Sequence, residues 1–214
     1  MSSVANVFTA GFGLGLTVAI PLGPVGAATI REGLERGTAS AFLLGLGAAT
    51  VDFLYLTLVY LGVVPLLLRL PWLVPAFYLA GAYLMGRMAR GALRRAWEGG
   101  LPPPARQGLA RGSYLTGVGI TLLNPATIVS WLGLGGAFAS AYLRGLNPWE
   151  ATLALISVGS GSAGWFAVLA VATGSMKALT GERPWILRAV NLVAGVALAG
   201  FGVLFVVKGI ATLQ

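Results

Sequence analysis

The stretch Ile20-Pro-Leu-Gly-Pro-Val-Gly26 decides how this chain is read, because it sets two prolines and two glycines in an apolar run that no charged side chain enters before Arg31. Proline removes a backbone donor and clashes with the preceding turn, and glycine weakens a helix interior through its backbone entropy. A helix through this run is therefore interrupted. If the run crosses a membrane, the freed amides and carbonyls must face protein or a watery cavity, because lipid cannot satisfy them. A simple packing kink is the alternative reading, and it loses ground if a second such motif lies at matching depth.

Composition puts the run in lipid. Hydrophobic residues make up 57% of the 214-residue chain and charged residues only 9%, against about a quarter charged in ordinary soluble domains. There is no cysteine and no histidine, which excludes disulfides, thiolate metal sites, nucleophilic cysteines and imidazole acid–base chemistry. No basic segment precedes the first apolar run, which reads as a retained span and not as a secretory signal. The formal charge of +8 would suggest nucleic acid in a soluble chain; here its meaning depends on which loops hold it.

Dividing the chain at its charges leaves apolar stretches near 4–30, 39–64, 71–86, 112–142, 149–175 and 185–207, each near or above the roughly 18–20 residues that a bilayer span needs, the third being shortest. The expected fold is an all-α membrane protein of six transmembrane helices. Loops after the first, third and fifth spans hold Arg31 and Arg36, then Arg87, Arg90, Arg94, Arg95, Arg106 and Arg111, then Lys177, Arg183 and Arg188; the other side has only Arg69, Arg144 and Lys208. That eleven-to-three excess makes the first set cytoplasmic and puts both termini outside. The Leu-Pro-Pro-Pro run at 101–104 reads as a stiff connector, 99–110, between a three-helix half at 1–98 and another at 111–214. Two halves that each cross an odd number of times sit in opposite orientations, which permits an inverted repeat.

Each half opens on a proline break: Pro21-Leu-Gly-Pro24 in the first span and Leu122-Leu-Asn-Pro-Ala-Thr127 in the fourth. At a rise of about 1.5 Å per residue, Pro24 and Pro21 lie about 10–15 Å inside Arg31, and Asn124 about 20 Å inside Arg111. In a core about 30 Å thick, the two breaks should meet near the midplane. Discontinuous helices there form substrate sites in many transporters, with half-helix N-termini attracting anionic groups. Asp52, the sole charge between Arg36 and Arg69, belongs at the same depth. It should be neutral much of the time, paired with a cation, or exposed to a watery cavity. Tyr55 shares its helical face and could donate to it. A purely structural hydrogen bond is the alternative for Asp52. In Ser157-Val-Gly-Ser-Gly-Ser-Ala-Gly-Trp-Phe166, close helix packing explains most of the small residues, with Ser160 and Ser162 as cavity candidates and Trp165 as a gate or wall. Gly11 to Gly15 and Gly195 to Gly202 read as packing surfaces that would also permit a homodimer. Glu32 and Arg36, at i, i+4, read as a solvated helix end.

These residues together resemble the lysine exporter (LysE) family of bacterial translocators, over essentially the whole chain. The resemblance rests on Pro21-Leu-Gly-Pro24, on Arg31-Glu-Gly-Leu-Glu-Arg-Gly37, on Gly45-Leu-Gly-Ala-Ala-Thr-Val-Asp52, on Leu122-Leu-Asn-Pro125 and on Gly161 to Trp165. It implies an exporter of amino acids or related metabolites in the bacterial inner membrane. The family's basic amino-acid exporters usually carry Gln-Asn after the second proline, where this chain has Val25-Gly26; the departure counts against lysine or arginine as substrate.

The expected function is secondary-active export driven by protons or the membrane potential, since no Gly-x-x-x-x-Gly-Lys loop is present. The expected substrate site comprises Pro21, Gly23, Pro24, Asp52, Tyr55, Asn124, Pro125, Ser160, Ser162 and Trp165, with no metal and no cofactor. Amides after Pro24 and near Asn124 would hold the substrate carboxylate, and Asp52 its ammonium or a proton. An intramembrane enzyme lacks the convergent acids and bases it would need. A non-transporting assembly or sensor subunit is the remaining alternative.

The charge split generates the first prediction. Compartment reporters fused after Gly108 are active only in the cytoplasm and those fused at Gln214 only outside; a cytoplasmic carboxyl terminus would remove the basis for the inverted repeat.

Overall fold

The computed structural model describes residues 4–20, 23–63, 70, 72–98, 109–180 and 183–211. Pro21 and the connector run at 101–104 lie outside the described residues. The described chain is helical throughout, with no strand: α1 (Val4–Ala19), α2 (Pro24–Arg36), α3 (Thr38–Tyr60), α4 (Leu73–Trp97), α5 (Leu109–Leu122), α6 (Pro125–Leu143), α7 (Pro148–Thr180) and α8 (Pro184–Ala211).

Four of these helices are long and apolar enough to cross a bilayer: Thr38–Tyr60, Pro125–Leu143, Pro148–Ala178 and Pro184–Ala211. Ala5–Ala19 and Pro24–Arg36 form a fifth candidate as a bent pair at 80° to one another. The protein is thus an all-α, multi-pass membrane protein. The third apolar stretch read from the sequence is only the first part of α4, which continues through Arg87, Arg90, Arg94 and Arg95 to Trp97. Both proline breaks occur where the sequence puts them. Pro24 and Pro125 each take the first helical position, where a missing N–H is harmless and the fixed φ suits the helix. A single residue, Gly37, joins α2 to α3, and its φ of 94° is a conformation that side chains with a Cβ avoid.

Helices from the two sequence halves interlock. α3 packs on α7 and α4 on α8, while α1 lies on α7, α5 on α3, and α2 against α3, α7 and α8. Two apolar clusters result. One joins Val51, Leu56, Trp131, Phe138, Leu155 and Val158 across α3, α6 and α7. The other joins Leu44, Met85, Ile120, Leu198 and Phe205 across α3, α4, α5 and α8. The glycines read as packing devices work that way at the crossing of α1 and α7, where Gly15 lies on the Val158 backbone and Gly161 on the Phe12 carbonyl. Neither position has room for a methyl group, so the two backbones are in direct contact.

One sequence expectation is corrected here. Glu32 and Arg36 do not form a solvated end: Glu32 is 4% exposed and Glu35 2%. Arg36 pairs with Glu32 at 2.9 Å and Arg95 with Glu35 at 2.7 Å. Ser113 donates to Glu32 at 2.6 Å, and the Lys177 ammonium donates to the Glu35 carbonyl at 2.8 Å. The i, i+4 spacing identified one ion pair but could not reveal that α4, α5 and α7 close over it.

The crossing of α1 and α7 yields a stability prediction. Gly15→Ala lowers stability by about 1–3 kcal/mol through overpacking, whereas Gly13→Ala, with nothing within 4 Å of its added methyl, leaves the thermal midpoint unchanged or raised. Thermal unfolding of the detergent-purified protein distinguishes the two.

Candidate substrate cavity

The two helix breaks line one cavity of about 230 Å³. From the first come Val18, Ala19, Gly23, Pro24, Val25 and Gly26; from the second Thr121, Asn124, Ala126, Thr127 and Ser130. Asp52 and Ala48 complete it from α3, Phe166 from α7, and Phe201, Leu204 and Phe205 from α8. Among the described residues, Asp52 is the only acidic one in the lining.

The two breaks differ in what they leave open. At α6, the Asn124 side chain accepts from the Ala126 amide at 3.1 Å, and the Asn124 carbonyl accepts from Thr127 N at 3.0 Å. With Pro125 lacking a donor, the start of α6 satisfies itself. At α2, no side chain caps the helix. Pro24 again lacks a donor, and Ala27 N already bonds Gly23 O at 3.1 Å, so the first-turn amides of Val25 and Gly26 have no carbonyl to reach within their helix. Of the two helix starts, that of α6 has a side-chain cap and that of α2 has none.

Asp52 is 5% exposed and has two donors. The Trp131 indole N–H donates to Oδ1 at 2.9 Å and the Ser162 hydroxyl to Oδ2 at 2.6 Å. The indole can only donate, so Oδ1 is an acceptor in every protonation state. The serine hydroxyl can turn and accept, which makes Oδ2 the atom able to gain a proton without breaking the clamp. Trp131 opens a stretch of wide π turns, Trp131–Gly135, a geometry frequent at functional sites. Tyr55 is buried near Asp52, but its hydroxyl donates to the Leu122 carbonyl at 2.7 Å. It thereby satisfies a carbonyl left at the end of α5 by the second break.

The structure brings Gly23, Pro24, Asp52 and Asn124 to the cavity wall and sets Ser162 directly behind Asp52. Pro125 is buried as the first residue of α6. The Ser160 hydroxyl donates to the Ser157 carbonyl of its own helix at 2.7 Å, and neither Ser160 nor Trp165 is among the lining residues. Trp131, Thr127 and Ser130 were missed by sequence reasoning, although Asn124, Thr127, Ser130 and Trp131 fall at helical spacings on adjoining faces. Phe166, Phe201 and Phe205 gave no local signal. No group of three potential metal ligands occurs among the described residues.

Residues 16–209 match the family of LysE type translocators. This chain belongs to the LysE family. The Bacillus subtilis (strain 168) protein YcgF, whose name assigns it amino acid efflux, is 30% identical over 97% of this chain and 99% of its own. The arginine exporter protein ArgO of Yersinia enterocolitica is 28% identical over 88% of this chain and 90% of its own. The chemotactic transduction protein ChpE of Pseudomonas aeruginosa is 32% identical over 62% of this chain and 65% of its own. No solved structure matches this LysE chain.

The carboxylate clamp gives the third prediction. Trp131→Phe leaves a buried oxygen of Asp52 without its donor and lowers stability by about 1–3 kcal/mol. In an Asp52→Leu background the same change costs less, and a double-mutant cycle of thermal unfolding measures the coupling.

Proposed function

We propose that this chain is an amino-acid exporter of the inner membrane and that the cavity between the two helix breaks is its substrate site. The observation that carries the reading is the joint lining of one cavity by the uncapped start of α2 and by Asp52. An amino acid presents a carboxylate and an ammonium a short distance apart. The Val25 and Gly26 amides, at the positive end of α2, suit the first; Asp52 suits the second, or a proton exchanged for it. The remaining wall is largely apolar, with Val18, Phe166, Phe201, Leu204 and Phe205. A second ammonium or a guanidinium would find no second acid there, so the substrate class is a neutral, small amino acid or related metabolite. A cavity of about 230 Å³ is below the range of drug-sized sites, which suits a small metabolite.

Six crossings in two inverted halves accommodate this site: the broken α1–α2 pair, α3 and α4 in one half, the broken α5–α6 pair, α7 and α8 in the other. The packing supports the repeat. Exchanging the halves turns the pair α1 and α7 into α5 and α3, and leaves α3 with α7 and α4 with α8, all of which are observed, whereas the packing of α2 on α3 is not repeated to the same extent by α6 on α7. Such exchange symmetry is what a two-fold axis in the membrane plane produces. Alternating access is then a rocking of the α4–α8 pair against the body of α1, α3, α6 and α7, driven by protons or the membrane potential, with both termini outside. A non-transporting sensor or assembly role is the second reading, favoured by the likeness to ChpE over 62% of this chain.

Efflux from dipeptide-fed cells tests the proposal. With matched membrane expression, Asp52→Asn lowers export roughly thirtyfold or more, the scale for removing one member of a buried charged pair, while the protein stays folded. Wild-type efflux from Asp52→Asn would overturn the assignment, and no differential export of any amino acid would favour the sensor reading.

A further inference from the structure

A second cavity, of about 530 Å³, opens between α2, α4 and α5 at the end of the bundle where α2 and α4 finish and α5 begins. Arg31, Arg36, Arg87 and Arg95 line it, together with Glu32 as its only acid. Glu32 and Glu35 neutralise part of that charge through their pairs with Arg36, Arg31 and Arg95. Four guanidinium groups against two carboxylates leave an excess of two positive charges. The Nε donors of Arg31 and Arg36 are buried without a hydrogen-bond acceptor; Arg31 Nε is 3.6 Å from Glu35, too far to count as satisfied. Glu35 Oε1, which faces Arg31 Nε, is likewise buried without a closer partner, so the cavity's attraction for an oxyanion rests on its excess of guanidinium charge. Arg87 is exposed and sits 5.9 Å over the Tyr83 ring, without a carboxylate partner among the described residues.

The rest of the wall shows which oxyanion fits. Leu84, Met88 and Leu115 form an apolar side. Tyr83, 67% exposed, and Leu115, 52% exposed, belong to the same wall and reach the outer surface of α4 and α5. The cavity is thus basic at the end of the bundle and apolar along its flank, the two chemistries of a phospholipid. Basic pockets between membrane helices on the cytoplasmic side bind anionic lipid headgroups. We propose that this cavity is a binding site for an anionic phospholipid, its phosphate held by Arg31, Arg36, Arg87 and Arg95 and its acyl chain lying along Leu84, Met88 and Leu115. The site is separate from the cavity at Asp52. Because α2 contributes Arg31 and Arg36 at its end and Val25 and Gly26 at its start, a bound lipid would also brace the helix that opens on the other cavity.

The test is native mass spectrometry of the full chain, purified in neutral detergent and titrated with phosphatidylglycerol or phosphatidylcholine. Wild type retains one phosphatidylglycerol in clear preference to phosphatidylcholine. Arg87→Gln weakens that binding roughly fivefold, the scale for one basic residue at a lipid headgroup, while Arg90→Gln, outside the lining, does not. Leu115→Trp narrows the apolar side and lowers phosphatidylglycerol retention; this variant decides the matter if Arg87→Gln fails to fold. Equal retention of the two lipids, or unchanged retention in the variants, would overturn the proposal. So would inorganic phosphate that displaces the lipid completely at matched concentration, since the site would then recognise a free anion and not a lipid.

Discussion

The clamp on Asp52 is the contact on which the centre of this protein depends. A carboxylate brought out of water requires hydrogen bonds to both oxygens, and here they come from two different helices, Trp131 of α6 and Ser162 of α7. Three helices are thereby fixed around one acid. The Tyr55 hydroxyl, three residues along the same helix, reaches the Leu122 carbonyl and fixes the end of α5 as well. The polar requirement of one side chain and the backbone requirement of one helix break are met by neighbouring residues of α3.

That arrangement satisfies backbone groups on both sides of the second break, whereas no side chain caps the helix after the first. Asn124 and Pro125 deal with the donors of α6 locally, and Tyr55 deals with a carbonyl of α5. Gly23, with no side chain to offer, leaves the first turn of α2 uncapped beside the cavity. The asymmetry follows from a single difference, asparagine against glycine before the helix-initiating proline. It leaves the start of α2, which contributes Gly23 to Gly26 to the cavity wall, without a side-chain cap, while Asp52 lies on the wall from α3.

At the opposite end of α2, Glu32 and Glu35 are buried in ion pairs, Glu32 with Arg36 of the same helix and Glu35 with Arg95 of α4, with Ser113 and Lys177 adding bonds from α5 and α7. Buried pairs of this kind contribute little net stability but are costly to break singly. They anchor one end of α2.

Much of this was legible in the sequence because membranes impose simple rules. Low charge and long apolar runs determined an all-helical, multi-pass membrane protein, prolines inside the runs marked where helices stop and start, and an isolated acid among apolar residues marked Asp52, which lies on the wall of the cavity between those breaks. The motifs from Pro21 to Asp52 pointed to the LysE family. Tertiary structure alone decided which donors Asp52 receives, that Tyr55 turns to Leu122, that Asn124 caps its own helix, and that Glu32 and Glu35 are buried. Those outcomes depend on which helices are neighbours, and a sequence pattern records the face a residue occupies on its own helix but not the helix that covers it.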